Sequence, residues 1–260
     1  MGVDNVAPDH WFPGDGRSLQ SVIDEMPHDI KPKQADKIDP KEKVVKPWGT
    51  YKRKAYIGLD LGKKSDATAL VVLEPYIPTE EREDGRDVYD VSFIARAGLE
   101  TPYPDIARKL AAIDKQLNDT GEIDYIYYTI DSGGVGESVT DLIVELLPNA
   151  DNIMRVYLTG GVHPTINYET NSIMLPKTQM VSAMIMLFES GRIKISTGDY
   201  NEDIAELRDE LYNFELKIQS GRTDTYGAFK FGKHDDLACA LGMSCWLAEY
   251  DAGLGAIEVW

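Results

Sequence analysis

Three places in the chain hold aspartates whose charge is costly or crowded unless something uses it. Asp60 lies inside the apolar run IGLDLG, where an unpaired carboxylate is expensive. Asp131 ends the run IYYTID, just before Ser132, Gly133 and Gly134, and the carboxyl end of a strand is where α/β sheets place ligand sites. Asp235 and Asp236 stand together in GKHDDLACAL, at the head of an apolar stretch. Hard carboxylate oxygens suit divalent cations, and two such ions about 3.5–4 Å apart can hydrolyse a phosphodiester, one activating water and the other steadying the leaving oxygen. Each place also has a plainer reading. Asp60 can pair with Lys63 or Lys64 across a turn, Asp131 can be a turn former before SGG, and Asp235 or Asp236 can be a helix N-cap. Two adjacent acids cannot both cap, so at least one of the pair is expected to be a ligand. His234, beside them, is either a carboxylate or phosphate contact or a surface loop histidine.

Positioning these acids requires strands and helices in a particular order. From Lys54 the runs AYIGLDLG and ATALVVLEP read as a hairpin joined by the polar turn KKSD, and VYDVSFIARAGLE as a third antiparallel strand. Ile106, Leu110 and Ile113 recur at helical spacing in PYPDIARKLAAIDKQLND. IDYIYYTID, SGGVG and SVTDLIVELL then read as strand, glycine turn and helix, followed by the strand IMRVYLTG. Further on, LPKTQMVSAMIMLFESG reads as a helix, RIKIS as a strand, IAELRDELYNF as a helix and ELKIQS with YGAFKFG as a hairpin. DDLACALGMSCWLAEY is apolar on most faces, which predicts a buried helix. The whole is an α/β layer on a mixed central sheet, three antiparallel strands then parallel strands, flanked by helices.

Composition narrows the function classes. With 260 residues and 43% hydrophobic content, one substantial core is expected. The expectation is a flexible arm or linker over 1–50, rich in Pro, Asp and Lys, and a single domain over 51–260. No apolar run long enough to span a bilayer and no secretory signal pattern is visible, so neither a membrane nor a secreted protein is expected. Cys239 and Cys245 are six residues apart in one helix, about 9 Å of rise, so they read as buried thiols in a reducing compartment. The net charge of -17 is the wrong sign for strong DNA binding by this chain alone, and a partner is expected to bring the basic surface.

The ordered set GLDLGKKSDATALVVLE, TIDSGGVGESVTDLI, LPKTQMVSAMIMLFESGRIKI, YNFELKIQSGRTDTYGAFKFGKHDDLACAL and MSCW resembles the nuclease domain of the large terminase subunit of tailed phages, over roughly Ala55 to Tyr250. The resemblance implies the RNase H-like fold and a metal-dependent endonuclease cutting concatemeric double-stranded DNA during genome packaging. It implies Asp60, Asp131 and Asp236 as catalytic acids holding two Mg or Mn ions, with Asp235 adjacent as a further ligand. It also implies host cytoplasm as the setting, and a packaging ATPase domain or subunit, a portal and a small terminase subunit as partners. No GxxxxGK[ST] loop is present, so the expectation is either a nuclease domain separated from its ATPase half or a relative that never drove translocation.

Candidate DNA contacts are Lys63 and Lys64 after Asp60, and Lys230, Lys233 and His234 in YGAFKFGKH, where Tyr226, Phe229 and Phe231 are interleaved; the resemblance adds Lys177 at the start of its helix, which is unremarkable as a sequence feature alone. Plain turn lysines explain Lys63 and Lys64 as well, and a half-buried strand with lysines facing water explains YGAFKFGKH somewhat better. Two other functions fit parts of the pattern. Another RNase H-like nuclease, a junction resolvase or an RNA-hybrid cutter, differs only in substrate shape. An actin-like ATPase also uses turns such as IGLDLGKK and IDSGGVG to bind phosphate, but it gives the HDD helix no role. A noncatalytic assembly module is disfavoured by the acids kept at all three places.

Overall fold

The computed structural model describes residues 53–62, 66–76, 87–134, 136–148, 150–195, 202–212, 215–219, 223–227 and 235–254. Strands β1 (Lys54–Asp60), β2 (Ala69–Tyr76) and β3 (Val88–Arg96) form the expected antiparallel meander. Helix α1 (Tyr103–Asp119) leads to β4 (Tyr125–Asp131), which returns parallel to β1, and α2 (Gly136–Leu146) leads to β5 (Ile153–Thr159), parallel to β4. A short hairpin, β6 (Thr165–Asn167) and β7 (Ser172–Pro176), then extends that edge, with β7 parallel to β5. Helix α3 (Lys177–Glu189), strand β8 (Ile193–Ile195), α4 (Glu202–Tyr212), the hairpin β9 (Glu215–Gln219) and β10 (Thr223–Gly227), and α5 (Asp236–Glu249) complete the order. The main sheet runs β6-β7-β5-β4-β1-β2-β3-β8, a mixed eight-stranded sheet.

The elements follow the sequence pattern closely, with one correction. Leu175 and Pro176 belong to β7, not to the helix, and Pro176 is the N-cap of α3 with extended backbone. Proline lacks the N–H that a helix interior needs and fits this boundary. The β6–β7 hairpin was not expected because its strands are short and lack a long alternating run. Of the hairpin expected from ELKIQS and YGAFKFG, the second strand is Thr223–Gly227, and residues 228–234 lie outside the described ones. The arm over residues 1–50 lies outside them too.

Two apolar layers sandwich the sheet. On one face Ala55, Ile57, Leu59, Ile126, Tyr128 and Ile130 meet α1 and α2 through Leu110 and Ile143, each such buried side chain contributing about 1.5–3 kcal/mol. On the other face Tyr56, Val71, Ile94, Val156 and Ile173 meet α3, α4 and α5. Because side chains alternate along a strand, Gly58 and Asp60 share the face of Tyr56, and Asp131 lies on the face opposite Tyr128 and Ile130. Both acids therefore point toward α5, and a slip of one residue would send them to the other layer.

Helix α5 is buried along its whole length, as its sequence predicts. It lies on β1 with its backbone nearly touching the strand: a Cβ at Gly58 would stand 1.9 Å from the carbonyl oxygen of Ala240. Only glycine permits that approach. On its other side a Cβ at Gly242 would stand 2.7 Å from Met180 of α3. Cys239 and Cys245 are both free and buried in this helix. No helix among the described residues is long and apolar enough to cross a membrane.

Candidate functional site

Register brings the acids of distant segments into one row. Asp60 pairs with Ala69, and Ala69 with Arg96, across β1, β2 and β3. On the other side of β1, Leu59 pairs with Ile130, so Asp60 and Asp131 end neighbouring parallel strands, about 4.8 Å apart by strand spacing. The turn after Asp131 is fixed by its own carboxylate, which accepts the N–H of Gly133 at 2.9 Å. A Cβ at Gly136 would stand 2.3 Å from the Asp131 carbonyl oxygen, so α2 can begin directly behind the acid only with glycine there.

The amino end of α5 arrives over this row. Burial pushes the Asp60 carboxyl well above the usual carboxylate range, and the neighbouring charges of Asp131, Asp236 and Asp235, in that order, push it further, while Lys177 pulls it down. Cys239, one turn into α5, has its thiol raised by burial and then by Asp60 and Asp235, again opposed by Lys177. The four expected acids and Lys177 therefore form one electrostatic neighbourhood at the carboxyl edge of the parallel strands.

Neither acid of the pair is used as the plain helix cap. Asp235 occupies the N-cap position but makes no side-chain cap hydrogen bond. The N–H of Ala238 is instead taken by Glu210 of α4, whose Oε2 accepts it at 2.8 Å. The other oxygen of Glu210 accepts from the Arg96 guanidinium, which also donates to Glu206. The same guanidinium lies 3.8 Å from Oδ2 of Asp236. Asp236 and Glu210 are both buried, 7% and 6% exposed, so this arrangement sits at the edge of the core and not in open solvent.

Arg96 and Glu210 were not among the residues singled out from the sequence. Glu210 carried a signal, since with Leu207 and Leu211 it occupies the buried face of α4, where a charged residue needs a partner. Arg96 carried none beyond ending a strand. Lys63, Lys64, Lys230, Lys233 and His234 lie outside the described residues, so the pairing of Asp60 with either turn lysine is not visible. Lys177, the first residue of α3, is the expected DNA contact that falls beside the acids.

A divalent cation suits this donor set: all four acids offer hard oxygens, and among the described residues the charges of Asp131, Asp236 and Asp235 act on Asp60 against that of Lys177. Among the described residues no three such side chains are gathered closely enough to form a ready-made metal cage. The fit therefore rests on donor chemistry and charge, not on a preformed coordination shell.

An α/β domain with three antiparallel strands continued by parallel ones, and acids gathered at the carboxyl edge, defines the class. The profile of the Terminase RNaseH-like domain family matches residues 57–245, and the chain belongs to that family. Solved structures similar to it include the large terminase nuclease from thermophilic phage G20c, at 20% identity over 74% of this chain and 81% of that one, TM-score 0.46. The human cytomegalovirus terminase nuclease domain, soaked with Mn, is 16% identical over 78% of this chain and 85% of that one, TM-score 0.49. The HK97 bacteriophage large terminase is 16% identical over 76% of this chain and 40% of that one, TM-score 0.48. No curated protein matches the chain.

Proposed function

We propose that the chain is a divalent-metal-dependent endonuclease that hydrolyses phosphodiesters of double-stranded DNA, the cutting half of a genome-packaging machine. The observation that carries this reading is the crowding of Asp131, Asp236 and Asp235 around Asp60, in a domain of the terminase RNase H-like family. Asp60, Asp131 and Asp236 are the catalytic acids in this reading, and with Asp235 they hold two Mg or Mn ions. The family resemblance puts Asp236 forward as the ligand from α5, with Asp235 beside it as a further one. The ions would supply Lewis-acid activation of water and neutralise charge on the phosphate.

The chain's own residues set the geometry. Asp60 and Asp131 are fixed by adjacent strands, and Asp236 by a helix seated on Gly58, so the donors sit on rigid elements. Lys177 brings a positive charge to the same edge, suited to the scissile phosphate or a neighbour. Lys63, Lys64, Lys230, Lys233 and His234 are proposed to line the DNA path. A chain of net charge -17 gains DNA affinity best from a basic partner, which fits a packaging ATPase, with portal and small terminase subunit as further partners. Residues 1–50 would serve as the arm or linker to that machinery, in the cytoplasm of the host.

The test is cleavage of supercoiled plasmid by the purified chain with Mn or Mg against EDTA. Linear DNA is expected with either ion and none with EDTA. Asp60→Ala and Asp236→Ala should each lower the rate by more than the roughly 100-fold that loss of a mere supporting group costs. Metal-independent cutting, or full activity in both variants, would overturn the reading. Junction and RNA-hybrid substrates run in parallel separate it from other RNase H-like nucleases.

A further inference from the structure

Ser132, the residue after Asp131, is held from three sides. Its N–H donates to the Val156 carbonyl at 2.8 Å, which carries the pairing with β5 past the acid. Its hydroxyl lies 2.9 Å from that of Thr140, one turn into α2. Thr140 gives its own hydroxyl hydrogen to the Gly136 carbonyl at 2.8 Å, since a carbonyl oxygen only accepts. Ser132 is therefore the donor in the pair, and its one hydrogen sits between Thr140 Oγ1 and the Ile130 carbonyl, which is 3.1 Å from Oγ. Both residues are buried, 1% and 0% exposed, where a polar group left without a partner is costly. The link thus joins the end of β4 to the start of α2, directly behind the acid.

The turn spanned by this link carries the orientation of Asp131. One carboxylate oxygen of Asp131 accepts the Gly133 N–H at 2.9 Å, so the side chain is tied to the path of the turn. Gly134 takes a left-handed backbone, φ 64°, and Gly136 lies too close to the Asp131 carbonyl for any Cβ. A turn built on Gly133, Gly134 and Gly136 has little stiffness of its own, and the Ser132–Thr140 link supplies it. We infer that Ser132 and Thr140 are positioning residues whose hydroxyl pair fixes the turn after Asp131 and so aims that carboxylate at the metal. This inference rests on the reading of Asp131 as a metal ligand. Neither hydroxyl touches metal or DNA in it; together they govern how strongly the site takes up a cation.

Mn2+ binding to the purified full chain, followed by titration calorimetry without DNA, tests this apart from activity. Ser132→Ala and Thr140→Val each remove the link, and each should lower Mn2+ affinity by about 10-fold, the lower end of what outer-shell groups cost. Because both break one bond, the double variant should bind no worse than the weaker single, a non-additivity that independent sites would not give. Thr140→Ser keeps the hydroxyl and should bind Mn2+ like wild type. Tyr128→Phe removes the buried hydrogen bond to Asp114 on the opposite face of β4; it should lose stability and leave Mn2+ affinity unchanged. The inference is overturned if Ser132→Ala and Thr140→Val bind Mn2+ like wild type, if their losses multiply in the double variant, or if Tyr128→Phe weakens binding equally. Should Ser132→Ala fail to fold, Thr140→Val against Thr140→Ser decides alone, and equal affinity in those two sinks the idea. If wild type itself binds no Mn2+, the reading of the site fails and the inference with it.

Discussion

The two ends of α5 are made from the same buried helix and carry opposite electrostatics. At its carboxyl end the charges are matched. Arg192, fully buried, meets Glu249 through two contacts of 3.0 and 2.6 Å and donates its Nε to the Asp87 carbonyl at 2.8 Å. Just beyond, Asp251 takes Lys54 at 2.6 Å and the Tyr56 hydroxyl at 2.7 Å. At its amino end Asp60, Asp131, Asp235, Asp236, Glu206 and Glu210 gather around Arg96 and Lys177. One end locks the helix to the sheet; at the other, acids outnumber bases among the described residues. The difference teaches that burial alone does not set the charge balance of a cluster.

The largest effect expected from breaking this contrast lies at the matched end. Arg192→Met leaves Glu249 charged and buried, which costs about 3–5 kcal/mol. Urea unfolding should show that loss, and Arg192→Met combined with Glu249→Leu should recover most of it. Survival of the single variant at full stability would mean the pair is not what fixes this end.

A smaller effect is expected at the seam between the two ends. Gly58→Ala drives a methyl group into the Ala240 carbonyl, which stands 1.9 Å from the position of that Cβ, and overpacking of this kind costs about 1–3 kcal/mol. It also lifts α5 from β1, so Asp236 moves relative to Asp60. Mn2+ affinity should therefore fall in the folded variant, which calorimetry below the unfolding temperature would show. A loss of stability with unchanged affinity would place the acids' alignment elsewhere.

The smallest effect has the opposite sign. Asp60 binds its proton more tightly in the fold than in the unfolded chain, because burial and then Asp131, Asp236 and Asp235 disfavour its charge. The folded state thus holds more protons above the ordinary carboxylate range, and stability falls as pH rises through that window. Asp60→Asn lacks this penalty. In EDTA at pH 8 its melting temperature should exceed wild type, and the gain should vanish toward pH 4. With Mn2+ added, wild type should gain stability and Asp60→Asn should not. A variant less stable than wild type in EDTA would remove the case for charge crowding.

Much of this was legible in the chain itself because the signals were local. An aspartate within IGLDLG breaks an apolar strand, one closing IYYTID precedes two glycines, and two acids head a helix too apolar to face water; each is visible within ten residues. Alternation along β1 and β4 likewise decides which face Asp60 and Asp131 share. The β6–β7 hairpin escaped because short strands leave little period to read, and a proline-lysine boundary looks alike from either side. Arg96 and Glu210 escaped for a stronger reason. They are 114 residues apart in the chain, and nothing in either neighbourhood names the other. Sequence determined which groups carry charge and which elements carry them, since both follow from side-chain chemistry and local periodicity. Only the tertiary structure decided which charges meet: that Lys177 comes within electrostatic reach of Asp60, that Glu210 and not Asp235 caps α5, and that Arg96 stands beside Asp236, because Coulomb energy depends on distance in space and not on separation along the chain.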